Sequence, residues 1–477
     1  MHVPFAIIAD LGGAGPLKVA IGSLPDEVLL EIFTFYVKEA YWMTLVYVCR
    51  GWRHVVSESP LRLDLRLLVG RNPNVGKLLD IWPALPIVIC PDFYWWTGIS
   101  KVTENVIAAL KHRDRVCRIS LDDFPIPSQK LETFLEMMRY PFPALTDLKL
   151  CEWLDEGEEV AAIPDSFLGG SAPRLRSLRL TQFAFPALPK LLLSANHLVD
   201  LYLGHIAYAG YISPEVMVGS LSSMAELRSL HLAFDSPRLR PSQASRRPPP
   251  KIRTPLPALT HFVFVGVSEY VEDFVAPIDA PRLRNIEIWF LNQLIFDIPQ
   301  LSQFINRVER LNELDATVSF SSSNASVELS SETGARLLLR VLCRQADWQL
   351  SSVAQLCAMS LPPISTLETL TVATRSYAYS PQHFGQFNID HGQWVELLYP
   401  FTNVKNLYLD EDVGLHTATA LQGLIGESVT QVLPELQRLF IKGLQPSGPT
   451  WEAAESLMSF VAARRRFGHP IAIHCWE

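Results

Sequence analysis

Residues 173–180 read PRLRSLRL, and residues 143–150, one short interval earlier, read PALTDLKL. Both phrases follow the pattern Leu-x-x-Leu-x-Leu, which places Leu175, Leu178 and Leu180 in the first of them. Further copies, with aliphatic or aromatic substitutes, occupy residues 197–203, 226–232, 257–264, 281–288, 366–372, 403–409 and 434–441. The first positions of successive copies, from Val116 to Leu283, are 29, 30, 23, 29, 32 and 24 residues apart. A phrase that recurs at this interval indicates an array of small structural units.

The array has one long interval, and the spacing predicts what fills it. From Leu283 to the next clear copy at Leu367 is 84 residues, which equals three periods of 28. Two degenerate copies are therefore expected, near residues 310–320 and 335–343. Helical apolar spacing lies between the copies, at residues 128–138, 269–278, 300–308, 393–401 and 453–466.

Each unit is thus predicted to be a strand followed by a helix. Such a unit cannot bury its own apolar face, so neighbouring copies are expected to stack. The prediction is an α/β protein in which residues 61–477 form a curved solenoid, with parallel strands inside and helices outside. This spacing and phrase resemble leucine-rich repeats.

Side chains between the buried leucines of each strand are expected to face outward, because a strand alternates its side chains with period 2. Lys149, between Leu148 and Leu150, is one of them. The candidate target-binding residues chosen on this basis are Arg179, Tyr202, His231, Glu287, Tyr408 and Phe440. Their mixed polar and aromatic chemistry suits protein recognition, although they can also be ordinary exposed sheet residues.

A different pattern occupies residues 23–60. Pro25 precedes Asp26 and Glu27, which places a proline and two carboxylates in the first turn of a helix. Apolar residues at helical spacing follow on one predicted face: Val28, Leu29, Ile32, Phe33 and Tyr36. A second apolar set runs from Trp42 to Trp52. Residues 1–22 are predicted to be a flexible lead-in. The module that follows is too short to bury all these side chains internally.

The head Leu24-Pro25-Asp26-Glu27 and the tail Val48-Cys49-Arg50-Gly51-Trp52 resemble the F-box, whose pattern opens with Leu-Pro-x-Glu and closes with Val-Cys-x-x-Trp. The resemblance implies a three-helix module that docks onto a Skp-type adaptor of a cullin-RING ubiquitin ligase. It carries the adaptor contact to Leu24, Pro25, Val28, Leu29, Ile32, Val48, Cys49 and Trp52. The other interpretation is a plain helical hairpin packed against the rest of the chain. Together, the module and the array resemble F-box proteins with C-terminal leucine-rich repeats. In its general character the sequence resembles the fungal F-box-like group of these proteins.

Composition narrows the classes of partner. The formal charge is −8, which argues against a chain that neutralises nucleic-acid phosphates. No apolar run is long enough to cross a bilayer, so no membrane association is expected. The seven cysteines are far apart, without a C-x-x-C pair. We expect buried reduced thiols, not metal ligands or disulfides. Reduced thiols in turn favour the cytosol or the nucleus.

Two kinds of biased segment interrupt the array. Residues 236–255 are rich in Pro, Ser and Arg and are predicted to form a disordered loop, or alternatively a docking or phosphorylation site at Ser242 and Ser245. Acidic runs begin at Asp155 and Asp410 and are predicted to be solvated loops, because they lack the ligand spacing of a calcium site.

The sequence contains no catalytic motif of the G-x-S-x-G, H-E-x-x-H or Walker type, and neither a cofactor nor a metal site is predicted. The leading hypothesis is a non-enzymatic substrate-recognition subunit of an SCF-type (Skp-cullin-F-box) ubiquitin ligase, which binds the adaptor through the module and an unknown target protein through the array. The alternative is a scaffold that binds the adaptor without promoting ubiquitination. An enzyme with a site in the array has the least support.

Overall fold

The structure is a computed structural model, and it describes residues 24–36, 42–60, 62–70, 75–82, 85–91, 99–122, 124, 126–152, 160–236, 253–293, 295–308, 315–331, 334–358, 364–374, 391–442 and 449–476. The predicted lead-in, most of the Pro/Arg segment and the acidic run from Asp155 lie outside these residues.

Sixteen strands form one sheet, and a short pair of strands lies apart from it. In chain order the strands are β1 (Leu67–Val69), β2 (Ile87–Ile89), β3 (Val116–Leu121), β4 (Asp147–Cys151), β5 (Ser177–Thr181), β6 (Asp200–Ile206), β7 (Ser229–Phe234), β8 (Thr254–Pro255), β9 (His261–Gly266), β10 (Ile278–Asp279), β11 (Asn285–Leu291), β12 (Asp315–Phe320), β13 (Asn324–Ser330), β14 (Arg336–Leu342), β15 (Thr369–Thr374), β16 (Asn406–Leu409), β17 (Arg438–Lys442) and β18 (Ala472–Trp476). The order in the large sheet is β1-β2-β3-β4-β5-β6-β7-β9-β11-β14-β13-β12-β15-β16-β17-β18, while β8 pairs with β10.

Helices occupy most of the connections between strands. They are α1 (Asp26–Tyr36), α2 (Trp42–Val48), α3 (Arg50–Glu58), α4 (Val75–Ile81), α5 (Ile99–Leu110), α6 (Ser128–Met137), α7 (Leu188–Leu192), α8 (Pro214–Leu221), α9 (Ser268–Val275), α10 (Pro299–Asn306), α11 (Ala346–Ala358), α12 (His391–Leu398), α13 (Glu411–Gln422), α14 (Ser428–Gln431) and α15 (Pro449–Arg466). The five helical segments expected from apolar spacing correspond to α6, α9, α10, α12 and α15, so those predictions are confirmed.

Most copies of the repeated phrase form the same turn before they enter a strand. The first leucine donates its N–H to the carbonyl three residues earlier, as in Leu145 to Phe142 and Leu175 to Ala172, both at 3.1 Å. The same bond recurs at Leu198, Leu227, Leu259, Leu283 and Leu436. Proline often occupies the second position of this turn, where its fixed φ is favourable. The proline in the phrase is therefore a turn residue.

Successive units are also joined in the same way. The residue after the turn donates its N–H to the equivalent carbonyl of the preceding unit: Arg176 to Thr146, Val199 to Arg176, and Arg228 to Val199, at 2.7–2.8 Å. The strands then pair in parallel with Leu148, Leu178, Leu201 and Leu230 side by side. These leucines are buried in one continuous core with helix residues such as Phe134 and Met138. The result is a mixed α/β fold with a mostly parallel sheet.

The prediction of uninterrupted parallel strands is wrong at one place. Strands β12 and β14 lie where the two degenerate copies were expected, but β13 lies between them and is antiparallel to both. A parallel connection requires a crossover of a dozen residues or more, whereas residues 321–323 and 331–335 are short enough only for hairpins. The described residues of these two connections form no helix, and the outer two strands of the group join the rest of the sheet through β12 beside β15 and β14 beside β11.

Three smaller expectations are also corrected. Only Cys343 and Cys357 are buried. Cys49, the N-cap of α3, and Cys475, in the last strand of the sheet, are exposed. Thr254 and Pro255, in the predicted Pro/Arg loop, form β8. The acidic run from Asp410 leads directly into α13 and is not a loop. In the described part of the chain, no helix combines the length and apolarity required to span a membrane.

Candidate functional surfaces

Helices α1, α2 and α3 form a small helical module at the β1 end of the sheet. Leu29, Leu30 and Phe33 of α1 are buried, and the ring of Phe33 meets Trp52 of α3 edge-on at 4.8 Å between centroids. Trp42 of α2 is buried and donates its indole N–H to the carbonyl of Arg66 at 2.8 Å, just before β1. The module is therefore packed onto the sheet through its second helix.

The single apolar face predicted for α1 is divided between two sides of the helix. Leu29 and Phe33 point into the core, whereas Val28 and Ile32 are exposed. Phe35, seven residues after Val28, is 82% exposed. Because residues at i, i+4 and i+7 share one side of a helix, Val28, Ile32 and Phe35 form an outward apolar stripe, here named the α1 outer face.

Other candidate adaptor residues are distributed as follows. Pro25, Val48 and Cys49 are exposed, Leu24 and Trp52 are half-buried and pack against the core, and Leu29 is buried. Leu29 thus supports the α1 outer face from within. Tyr47, beside Val48 at the end of α2, is 75% exposed and was not selected from the sequence. The i+7 spacing from Val28 could have identified Phe35 as a member of the same helix face.

The candidate target residues lie in a single register across the sheet. Lys149, Arg179, Tyr202, His231, Val263 and Glu287 are consecutive partners on β4, β5, β6, β7, β9 and β11. At the other end of the sheet Tyr408, Phe440 and His474 are partners on β16, β17 and β18. These nine residues are named the outer row. They are on the side of the sheet opposite to the leucine core, and the charged and aromatic ones contact their neighbours.

The first part of the outer row is a stack of charged and aromatic groups. The guanidinium of Arg179 lies 4.0 Å from the ring centroid of Tyr202, and the Tyr202 ring stacks on His231 at 4.1 Å with an interplanar angle of 20°. Asp122, at the end of β3, lies beside Lys149 and Arg179. Lys149, which the sequence also predicted to face outward, and Asp122 are thus added to the six candidate target residues.

Around Glu287 of the outer row, neighbouring side chains form an ion-pair network. Glu287 accepts a hydrogen bond from the Trp289 indole at 2.6 Å, and Arg336 contacts Glu328 at 2.7 Å and Glu287 at 4.0 Å. The guanidinium of Arg340 lies 4.3 Å from the Trp289 ring centroid. Opposite charges are therefore largely matched within this part of the sheet.

The last part of the outer row is aromatic. Tyr408 and Phe440 stack at 4.3 Å with an interplanar angle of 5°, and Phe440 stacks on His474 at 5.1 Å. Trp476 meets Tyr408 edge-on at 5.5 Å. Single-sequence reasoning missed Trp476, because no leucine phrase marks β18.

Comparison with known proteins identifies the helical module alone. No characterised protein matches the sequence as a relative. Residues 21–63 match the family model described as F-box-like, so the chain carries an F-box-like domain that contains α1, α2 and α3.

Proposed function

We propose that this protein is the substrate-recognition subunit of an SCF-type ubiquitin ligase. In this proposal the F-box-like domain binds a Skp-type adaptor, which links the protein to a cullin-RING ligase, and the outer row of the sheet binds a target protein. The observation that carries the proposal is the α1 outer face, an apolar surface on a domain of a family whose members typically bind such adaptors.

The exposure of the α1 outer face is costly unless another protein covers it. Full burial of a Val, Ile or Phe side chain contributes about 1.5–3 kcal/mol, and a partner would gain most of this at Phe35, which is 82% exposed, and part of it at Val28 and Ile32, which are 42% and 46% exposed. A contiguous exposed apolar patch on a soluble protein commonly marks an interaction site. Val28, Ile32 and Phe35 share one side of a short helix, so one partner surface can bury all three.

The proposal assigns the strand–helix units to a leucine-rich-repeat solenoid. The repeated turn at the first leucine, the repeated hydrogen bond to the preceding unit and the aligned leucines of β4 to β7 support this assignment. Its role would be to hold outer-row side chains from many strands on one surface. A target that spans several strands would then contact several of them.

The chain itself supplies no catalytic group in this mechanism. Its contribution is proximity, since it would hold the lysines of the target near a ubiquitin-loaded enzyme and convert an encounter in solution into a reaction within one complex. We further propose a cytosolic or nuclear location, in keeping with cysteines that serve no disulfide role.

The α1 outer face can be tested with a charged substitution. Ile32→Asp should weaken binding to a purified Skp-type adaptor by at least about 2 kcal/mol, because a carboxylate would be buried in an apolar contact. Ile425→Asp is the matched control, since Ile425 is 86% exposed and lies far along the chain, between α13 and α14. Calorimetric titration of both variants with the adaptor gives the measurement.

Equal adaptor affinity for the two variants would reject the proposed contact. Addition of a cullin to the wild-type complex then separates the two functions that remain. Assembly of a complex that contains the cullin supports the ligase subunit. An adaptor complex that excludes the cullin supports the scaffold.

A further inference from the structure

Two cations of the outer row share one carboxylate. Lys149 Nζ lies 3.8 Å and Arg179 Nη1 lies 3.9 Å from the same oxygen, Oδ2 of Asp122. The other oxygen, Oδ1, accepts a hydrogen bond from the Ser120 hydroxyl at 2.9 Å. Asp122 is thus held by its own strand and attracts both cations across the neighbouring strands.

Within the part of the chain that the structure describes, the donors of both cations are open to a ligand. Neither distance to Asp122 is short enough for a hydrogen bond. Neither the Lys149 ammonium nor the Arg179 guanidinium donates a hydrogen bond to a protein group among the described residues. Both side chains are 39% exposed, so an incoming acceptor can reach them.

The guanidinium is also fixed in direction. It lies over the ring of Tyr202, which stacks face to face on His231, so the three side chains from β5, β6 and β7 form one continuous pile. Gly204 makes room for this stack, since a Cβ at that position would lie 2.7 Å from Cε1 of Tyr202. An arginine held by stacking loses less conformational freedom when it binds a ligand.

The net charge of the cluster selects among anions. Lys149 and Arg179 contribute two positive charges and Asp122 one negative charge. Burial, together with Arg179 and His205, lowers the pKa of His231 to about 4, so this imidazole is neutral at physiological pH. The cluster therefore has a charge of about +1. One carboxylate balances it, whereas a phosphate ester carries about −1.5 to −2 charges, exceeds the charge of the cluster and is repelled more strongly by Asp122.

We propose that Lys149 and Arg179, with Arg179 held on the Tyr202–His231 stack and Asp122 limiting the charge of the cluster, bind the carboxylate of an aspartate or glutamate side chain in the target protein. This inference rests on the proposed function, because it takes the outer row as the target-binding surface. It adds the chemical class that the surface recognises: an unphosphorylated acidic residue in a segment that crosses β4, β5 and β6.

The test uses phage-displayed random peptides selected on the full-length protein bound to the adaptor. Peptides that bind the wild type and fail to bind Arg179→Gln should share an aspartate or glutamate at one position. Replacement of that residue by glutamine should weaken binding about tenfold or more, because a charge-assisted hydrogen bond is lost. Replacement by phosphoserine should give no gain in affinity.

Asp122→Asn provides a second, opposite readout. Asp122 competes with an incoming anion for the two cations, so its neutralisation raises the charge of the cluster to about +2 and should tighten binding of the acidic peptides and admit phosphoserine. Selected peptides without a shared acidic position, or weaker binding to Asp122→Asn in a protein that still unfolds at the wild-type temperature, would overturn the proposal. Adaptor binding of both variants is measured in parallel, so loss of the F-box contact is distinguished from loss of the carboxylate site.

Discussion

The α1 outer face and the outer row of the sheet are both exposed, yet they differ in what their side chains already contact. Val28, Ile32 and Phe35 project into solvent, whereas Arg179, Tyr202 and His231 stack on one another. Covering the first surface lowers the free energy, because its apolar side chains are removed from water. The second is held in one arrangement before a partner arrives, and it offers charges in fixed positions. We infer that the first surface suits one constant partner, and that the second suits discrimination among many proteins.

The largest expected effect separates the two sides of α1. Phe33→Ala should reduce the free energy of unfolding by about 3–5 kcal/mol, because it leaves a cavity beside Trp52. Phe35→Ala should change it by less than about 0.5 kcal/mol, because that ring makes an exposed surface. Urea denaturation of the two variants measures the difference. Similar losses would show that Phe35 packs into the fold.

An intermediate effect distinguishes the two kinds of contact. A rise in ionic strength from about 0.05 M to about 0.5 M should weaken the acidic peptides about tenfold, since exposed charges are screened. Adaptor binding through the α1 outer face should change by less than about twofold over that range, since it depends on apolar burial. Titrations at several salt concentrations provide both values, and parallel slopes would contradict the distinction.

A pH dependence that arises from His231 provides a further test of the outer row. The pKa of His231 is lowered to about 4 by burial, so folding favours the neutral imidazole. The stability that this group contributes is present above pH 6.5, its ordinary pKa, and is lost as the pH falls toward 4. His231→Phe retains an aromatic ring but cannot titrate. The unfolding free energy of wild type relative to His231→Phe should therefore decline between pH 7 and pH 4, and an unchanged difference would contradict the assignment.

Much of the sheet could be predicted because one phrase specifies both a turn and a strand. The leucines of β4, β5 and β7 fix the side of each strand that enters the core, and the outer row follows from period-2 alternation. Strands β1 and β2 have three residues each, too few to display a phrase, so the start of the sheet was not expected. Strand β13, with the sequence NASVELS, lacks the leucine phrase, and the signal that could have found it is the alternation of polar residues with Ala325, Val327 and Leu329.

The details of the candidate site were less accessible to sequence reasoning. Helical spacing identified the apolar residues of α1, but a helix that is apolar on two sides gives no indication of which side faces the core. Packing of Phe33 on Trp52 decides it, and that contact joins residues nineteen positions apart. Similarly, Asp122 could not be linked to Arg179 before the register of β3, β4 and β5 was known.

The most direct test of the central claim compares the proteins that accumulate near this protein when cullin-RING ligases are inhibited. Proximity labelling and mass spectrometry would be performed with the wild type and with a Tyr202→Ala, Glu287→Ala, Tyr408→Ala variant, which removes outer-row side chains from three separated strands. We predict that the variant retains the adaptor and loses a defined set of stabilised proteins. An unchanged set, with the adaptor still bound, would contradict the assignment of target recognition to the outer row.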